Sequence, residues 1–147
     1  MNTEKTIKAL KFNHIVAFLA TLAIIVAFEG GFLQKGALAT LLSPDNIYML
    51  EVTTVMITIA LIPLALKSFS RALKRAAGEG KMKLIRTFSN MSLVRTSLLF
   101  VVIAVNAFIY YGIEYDGALY CGLFGYCALA YSYPTASTLY SYMNNEA

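Results

Sequence analysis

The sequence predicts an all-α integral membrane protein, a four-helix bundle that forms a single transmembrane domain over residues 1–147. Hydrophobic residues make up 59% of the chain and charged residues only 14%, whereas soluble domains carry about 25% charged residues. Four apolar runs of roughly 20 residues follow one another, and a helix of that length crosses about 30 Å of hydrocarbon. Basic residues are concentrated between the second and third runs. Strands are excluded because the runs show no alternation at period two.

The loop at residues 67–90 carries most of the basic charge. The positive-inside rule assigns such a loop to the cytoplasm, and an even number of spans then puts both termini on the same side. We therefore predict antiparallel neighbouring helices with both termini inside, and a lipid bilayer with anionic inner-leaflet headgroups as the partner of this loop. The net charge of +4 does not indicate a nucleic-acid partner, because the cations flank membrane spans. The residues predicted to contact headgroups are Lys67, Arg71, Lys74, Arg75, Lys81, Lys83 and Arg86.

The first span is predicted over residues 13–33, where an apolar run follows three N-terminal lysines. Glu29-Gly30-Gly31 is expected to end its helix, since glycine is a poor helix former. The outer segment at residues 32–42 is apolar for a loop. That composition favours a short helix in the membrane interface.

The second span, residues 46–67, has a well-marked start. Ser43 is the predicted N-cap, Pro44 takes the first helical position, and Asp45 lies near the positive end of the helix dipole. Good helix formers continue beyond residue 67. We therefore expect the helix to extend into the cytoplasm until the glycines of residues 78–80 break it.

The third span is predicted over residues 91–113, with Ser89 or Asn90 as its cap. Before it, residues 81–88 place three apolar side chains on one helical stripe. Such a stripe suits either the membrane interface or a cap on the inner end of the bundle. Its members are Leu84, Ile85 and Phe88.

The fourth span, residues 117–134, is followed by a tyrosine-rich tail. It carries a stripe of small side chains, which lets helix backbones approach closely. The spacing leaves open whether the stripe packs within one chain or between chains. Its predicted packing residues are Ala118, Cys121, Gly122 and Gly125.

Five polar residues are predicted to form an intramembrane line. Helical spacing places Glu51, Thr54 and Thr58 on one face of the second span. Arg95 and Asn106 share a face of the third span. A carboxylate above a polar stripe is typical of an ion or proton path, but the same residues also suit an interfacial carboxylate and hydrogen bonds that set helix register. Either way, both faces are expected to point into the bundle, because an amide in hydrocarbon needs a partner.

The sequence offers no cofactor or metal site that we can identify. His14 is the only histidine, and it has no cysteine or carboxylate at ligand spacing, so we expect a polar residue at the inner interface. Cys121 and Cys127 are six residues apart, which points their thiols to different sides of a helix. Paired acids and nucleophile–base pairs are missing as well. The prediction is a non-enzymatic protein.

Several short segments of the chain carry a resemblance: Tyr48-Met49-Leu50-Glu51, Ile62-Pro63-Leu64-Ala65-Leu66-Lys67-Ser68-Phe69-Ser70, Ser92-Leu93-Val94-Arg95, Tyr110-Tyr111 and Leu119-Tyr120-Cys121. Together they resemble a group of small four-helix inner-membrane proteins of Bacteroides-type bacteria. The resemblance covers about the last two-thirds of the chain, and it implies a multi-pass location in the bacterial inner (cytoplasmic) membrane. It implies no particular reaction, cofactor or substrate.

Two classes of function fit these observations. The first is an accessory, regulatory or oligomer-forming membrane subunit that acts by association with a second copy or another membrane protein. It is favoured by the small-residue stripe, the basic loop and the missing catalytic constellation. The second is a small transporter or proton-coupled carrier that uses Glu51 and Asn106. A cavity lined by both residues favours transport, whereas a packed interior favours association.

Overall fold

The computed structural model describes residues 3–144, which are all-helical and contain no strand. This confirms the all-α part of the predicted fold class. Three of the helices, Thr3–Glu29, Pro44–Ala77 and Lys81–Ile113, are long and apolar enough to cross a membrane. The helices are α1 (Thr3–Glu29), α2 (Ala37–Leu41), α3 (Pro44–Ala77), α4 (Lys81–Ile113), α5 (Asp116–Tyr131) and α6 (Ala136–Asn144).

Helix α4 is the centre of the fold and packs against α1, α3 and α5. The long helices differ in burial, since 44% of the apolar window of α4 is buried inside the protein, against 17% for α1 and for α3. Helices α3 and α5 also pack against each other. The arrangement is therefore one core helix with three neighbours, and α1 and α3 leave most of their apolar surface free.

Helix α1 runs parallel to α4. His14 lies beside Thr96 near one end of the pair, with 3.3 Å between Nδ1 and Oγ1. At the other end, Phe28 stacks on Tyr111 with 4.6 Å between the ring centroids. The predicted antiparallel pairing of neighbouring spans did not anticipate this parallel contact. Sequence order alone pairs the first span with the second, whereas α1 packs on α4, the third span.

Helices α3 and α5 run antiparallel to α4. Thr58 of α3 contacts Asn106 of α4. Phe69, later in α3, contacts Phe88, which lies earlier in α4. Helix α5 shows the same order, with Gly125 against Ile103 and the residue after the helix, Ser132, beside Arg95. The chain therefore passes up through α1, down through α3, up through α4 and down through α5.

The start of α4 differs from the prediction. The helix begins at Lys81 after Gly80, whose φ is 104°, and it passes Ser89 and Asn90 without interruption. The predicted cap at those two residues was wrong, because no glycine or proline separates 81–88 from the span and nothing else breaks the helix there. The stripe of Leu84, Ile85 and Phe88 is buried.

We call the end of the bundle at the turn of residues 78–80 the inner end and the opposite end the outer end, after the predicted orientation. The inner end is a packed cluster built from four helices. It includes α6, a helix in the segment that the sequence analysis described only as a tyrosine-rich tail. Its centre includes Leu73 of α3 and Leu139 of α6, both fully buried. Helix α1 begins at Thr3, so its first turns contribute Ile7 and Leu10 to the cluster. The buried members are Ile7, Leu10, Phe69, Leu73, Ala76, Ala77, Leu84, Ile85, Phe88 and Leu139.

The outer end joins α1 to α4. As predicted, α1 ends at Glu29 and a short helix, α2, follows. The Glu29 carboxylate accepts hydrogen bonds at 2.9 Å from both Lys35 Nζ and the Tyr111 hydroxyl. The Gly36 amide donates to the Tyr111 carbonyl oxygen at 2.8 Å. These contacts fix the loop after α1 on the outer end of α4.

Candidate functional site: polar residues between the helices

The polar face of α3 turns partly inward. Thr54 and Thr58 are buried, whereas Glu51 is half-buried near the outer end of the helix. Thr54 Oγ1 donates a hydrogen bond to the Leu50 carbonyl oxygen at 2.7 Å, so its hydroxyl is bonded within its own helix. Only Thr58 reaches across to another helix.

Asn106 of α4 forms a hydrogen bond to α3. Its side chain is 1% exposed, and Nδ2 donates to Thr58 Oγ1 at 2.9 Å and to the Val102 carbonyl oxygen at 2.8 Å. The amide therefore points into the bundle rather than to its surface. Inter-helix hydrogen bonds of this kind are worth about 0.6 kcal/mol on average in membrane proteins. The arrangement fixes the register of the two helices.

Glu51 lies apart from this pair. Seven residues separate it from Thr58, which is about 10 Å along a helix. Two small cavities of about 110 and 90 Å³ reach Asn106, and Glu51 lines neither. The structure thus brings Thr58 and Asn106 together and does not place Glu51 in a cavity with them.

Arg95 forms a second, separate polar site. It shares a face with Asn106, but eleven residues put about 16 Å of helix between them. The side chain is 8% exposed; Nη2 donates to the Ser132 carbonyl oxygen at 2.5 Å, and the guanidinium lies 3.8 Å from the centre of the Phe69 ring. Because Ser132 follows α5, Arg95 caps the negative end of that helix.

His14 extends this site toward α1. The imidazole is 4% exposed and lies between α1 and α4, whereas its place at the inner membrane interface stays a prediction. It contacts Thr96 and meets the edge of Tyr133 at 5.4 Å between centroids. Sequence reasoning missed this group because its partners come from two distant segments. The one local signal was a polar residue at helical spacing from buried Leu10.

The small-residue stripe of α5 packs within the chain. Ala118, Cys121 and Gly125 are buried, and Gly122 is half-buried. A Cβ atom at Gly125 would lie 2.8 Å from Cγ1 of Ile103, so this glycine is needed for the close approach of α5 to α4. At Gly122 the nearest atom would be Cβ of Asn106 at 3.7 Å, an ordinary contact. The stripe therefore supports the bundle rather than a surface for a second copy.

The predicted headgroup residues are all exposed. They lie on the last turns of α3 and the first turns of α4, around the turn at residues 78–80. Lys83 pairs with Glu79 of the same turn. The set is Lys67, Arg71, Lys74, Arg75, Lys81, Lys83 and Arg86.

Within residues 3–144, no three His, Cys, Asp or Glu side chains are grouped closely enough to hold a metal ion. Both cysteines are free; Cys121 is buried and Cys127 is exposed.

Fold and polar contacts together define an all-helical protein with three helices suited to a membrane. No protein-family model, curated protein or solved structure matches this chain.

Proposed function

We propose that the chain is a multi-pass protein of the bacterial inner membrane that serves as an accessory, regulatory or oligomer-forming membrane subunit, without enzymatic activity. The observation that carries the proposal is the interior of the bundle. Asn106 is paired with Thr58, the glycine stripe is used to pack α5 on α4, and the cavities at Asn106 are small. Because the amide donor of Asn106 is bound to Thr58 inside the bundle, the interior favours a protein that acts through its outer surface.

The proposal includes four spans, with α5 as the fourth. Its 16 residues are about 24 Å long, less than the roughly 30 Å of a hydrocarbon core. Helix α5 nevertheless lies along α4 over its apolar segment, from Gly122 beside Asn106 to Ser132 beside Arg95. Local thinning of the bilayer accommodates such a short helix at a modest free-energy cost.

The proposed orientation puts both termini and the basic turn in the cytoplasm. Parallel packing of α1 on α4 and antiparallel packing of α3 and α5 support it, because they bring the start of α1, the end of α3, the start of α4 and α6 to one end. That end carries the exposed cations, so the positive-inside rule assigns it to the cytoplasm. The inner-membrane location agrees with what the resemblance implies.

Association is supported further by the free surface of α1 and α3. Only 17% of each apolar window is buried, so both helices present long apolar sides to lipid or to another membrane protein. Transport is the alternative, and Glu51, half-buried near the outer end of α3, is the observation that favours it.

Native mass spectrometry of the protein extracted in native membrane discs tests association. A homo-oligomer or a complex of fixed composition is expected, and a monomer alone would contradict it.

Substitutions of Glu51 and Asn106 separate association from transport. We expect Asn106→Leu to lower the free energy of unfolding by about 0.6–1.7 kcal/mol, because it removes the hydrogen bond to Thr58. We expect Glu51→Gln to leave stability unchanged. In proteoliposomes with a pH-sensitive dye inside, the parent and Glu51→Gln should both match protein-free vesicles. Proton flux in the parent that disappears in a folded Glu51→Gln protein would establish the carrier instead.

A further inference from the structure

A half-open cavity of about 630 Å³ lies at the inner end of the bundle, on the opposite end from Glu51. Its walls come from α3, α4, the turn after α5, and α6. Cavities of about 300–1,000 Å³ are typical of small-ligand sites. Its polar lining includes Lys67, Arg95, Ser70, Thr138 and Tyr142.

Arg95 is the unusual member of this lining, because it is more than nine-tenths buried and lacks an anionic partner. No carboxylate in residues 3–144 forms an ion pair with it. One terminal nitrogen, Nη2, donates to the Ser132 carbonyl, and Nε is buried without any hydrogen-bond partner in the described chain. Burial of a cation is unfavourable unless its charge is paired and its donors are satisfied. The Phe69 ring and the end of α5 compensate only part of that charge.

The other charged group on the cavity wall is also a cation. Lys67 lies on the rim, and no aspartate or glutamate lines the cavity. Hydroxyl groups add uncharged donors, with Ser70 and Tyr142 3.3 Å apart on the wall between α3 and α6. A buried guanidinium, a flexible ammonium and hydroxyls around one space form the donor set that oxyanions prefer.

We propose that this cavity binds a phosphate group, held by Arg95 at its inner wall and by Lys67 at its rim. The guanidinium presents several N–H donors in a fixed plane that matches phosphate oxygens, whereas the lysine adds a point charge. The same chemistry is offered by the headgroup of an anionic phospholipid and by a free phosphate compound. This binding site goes beyond the proposed function. Whether the cavity binds phosphate does not depend on whether the chain associates with a partner.

Binding is measured on the full chain in a mild uncharged detergent by titration with inorganic phosphate and, separately, with short-chain phosphatidylglycerol. The chain has ten tyrosines and no tryptophan, and Tyr131, Tyr133 and Tyr142 line the cavity, so tyrosine fluorescence reports its occupancy. Short-chain phosphatidylcholine and sodium chloride at equal ionic strength are the comparison ligands. Saturation by phosphate assigns a free phosphate compound, and saturation by phosphatidylglycerol alone assigns a lipid.

The variants decide whether the cavity is the site. Lys67→Gln is expected to weaken binding at least about tenfold, the loss typical of one charge-assisted hydrogen bond. Arg95→Lys, which keeps the charge but not the planar donor set, is expected to weaken it at least as much. Lys74→Gln is the matched control, because Lys74 is an exposed cation two turns along the same helix and outside the cavity.

Lys67→Gln keeps the test decisive if Arg95→Lys fails to fold, since Lys67 is exposed and makes no internal ion pair among the described residues. Equal weakening by Lys67→Gln and Lys74→Gln would overturn the proposal in favour of diffuse surface charge. The proposal would also be overturned if neither inorganic phosphate nor phosphatidylglycerol showed saturable binding.

Discussion

Gly125→Leu is expected to yield protein that does not fold to the native bundle in mild detergent. Even a single Cβ at this position would lie 2.8 Å from Cγ1 of the buried Ile103 side chain, so Ile103 or the helix itself would have to shift. Overpacking a buried contact by single methylenes already destabilises by about 1–3 kcal/mol. A leucine would force α5 away from α4 and break the contact of Ser132 with Arg95.

Gly122→Ala is the matched control for this substitution. Its added Cβ would meet Cβ of Asn106 at 3.7 Å, so no rearrangement is required. Thermal unfolding followed by circular dichroism, together with size-exclusion chromatography, measures both variants. Gly125→Leu protein that elutes and melts like Gly122→Ala would show that α5 does not pack closely on α4.

Leu73→Ala is expected to lower the free energy of unfolding by about 2–5 kcal/mol, the range for truncation of a fully buried leucine. Leu73 is 0% exposed at the centre of the inner cluster, where α1, α3, α4 and α6 meet. Exposed Lys74 and Arg75 follow it directly. In the proposed orientation this end of the bundle projects from the hydrocarbon core, so burial of Leu73 is stabilised by the hydrophobic effect.

Leu64→Ala is the comparison, because Leu64 lies on the same helix with 58% of its surface exposed. It is expected to change the free energy of unfolding by less than about 0.5 kcal/mol. Loss of α6 from the inner end would also be visible as faster proteolysis after Tyr133 in Leu73→Ala. Equal stability of the two alanine variants would show that the inner cluster contributes little.

Local signals in the sequence predicted the parts of the fold that depend on neighbouring residues. Ser43 and Pro44 mark the start of α3, and the glycines of residues 78–80 mark its end. The inward orientation of Asn106 also follows from local reasoning, since an unpaired amide in hydrocarbon is unfavourable. Helix α2 was expected from the apolar composition of an outer loop.

The remaining features depend on contacts between distant segments. Helix α6 was missed because a proline and several tyrosines suggested a tail, although Ala136, Leu139 and Met143 recur at helical spacing against the inner cluster. The surroundings of Arg95 combine Phe69 of α3 with Ser132 after α5. No local pattern predicts such a meeting, because it requires the packing of three helices on one another.

The central claim is that α5 crosses the membrane, so that the basic turn and α6 lie together in the cytoplasm and the turn before α5 lies outside. Single cysteines at Met82, Asp116 and Ser141, all exposed positions, test it in a background lacking Cys121 and Cys127. Intact cells are treated with a membrane-impermeant maleimide, and permeabilised cells provide the total. We predict labelling in intact cells at Asp116 alone, with Met82 and Ser141 labelled only after permeabilisation. Labelling of Asp116 and Ser141 from the same side would contradict the four-span account.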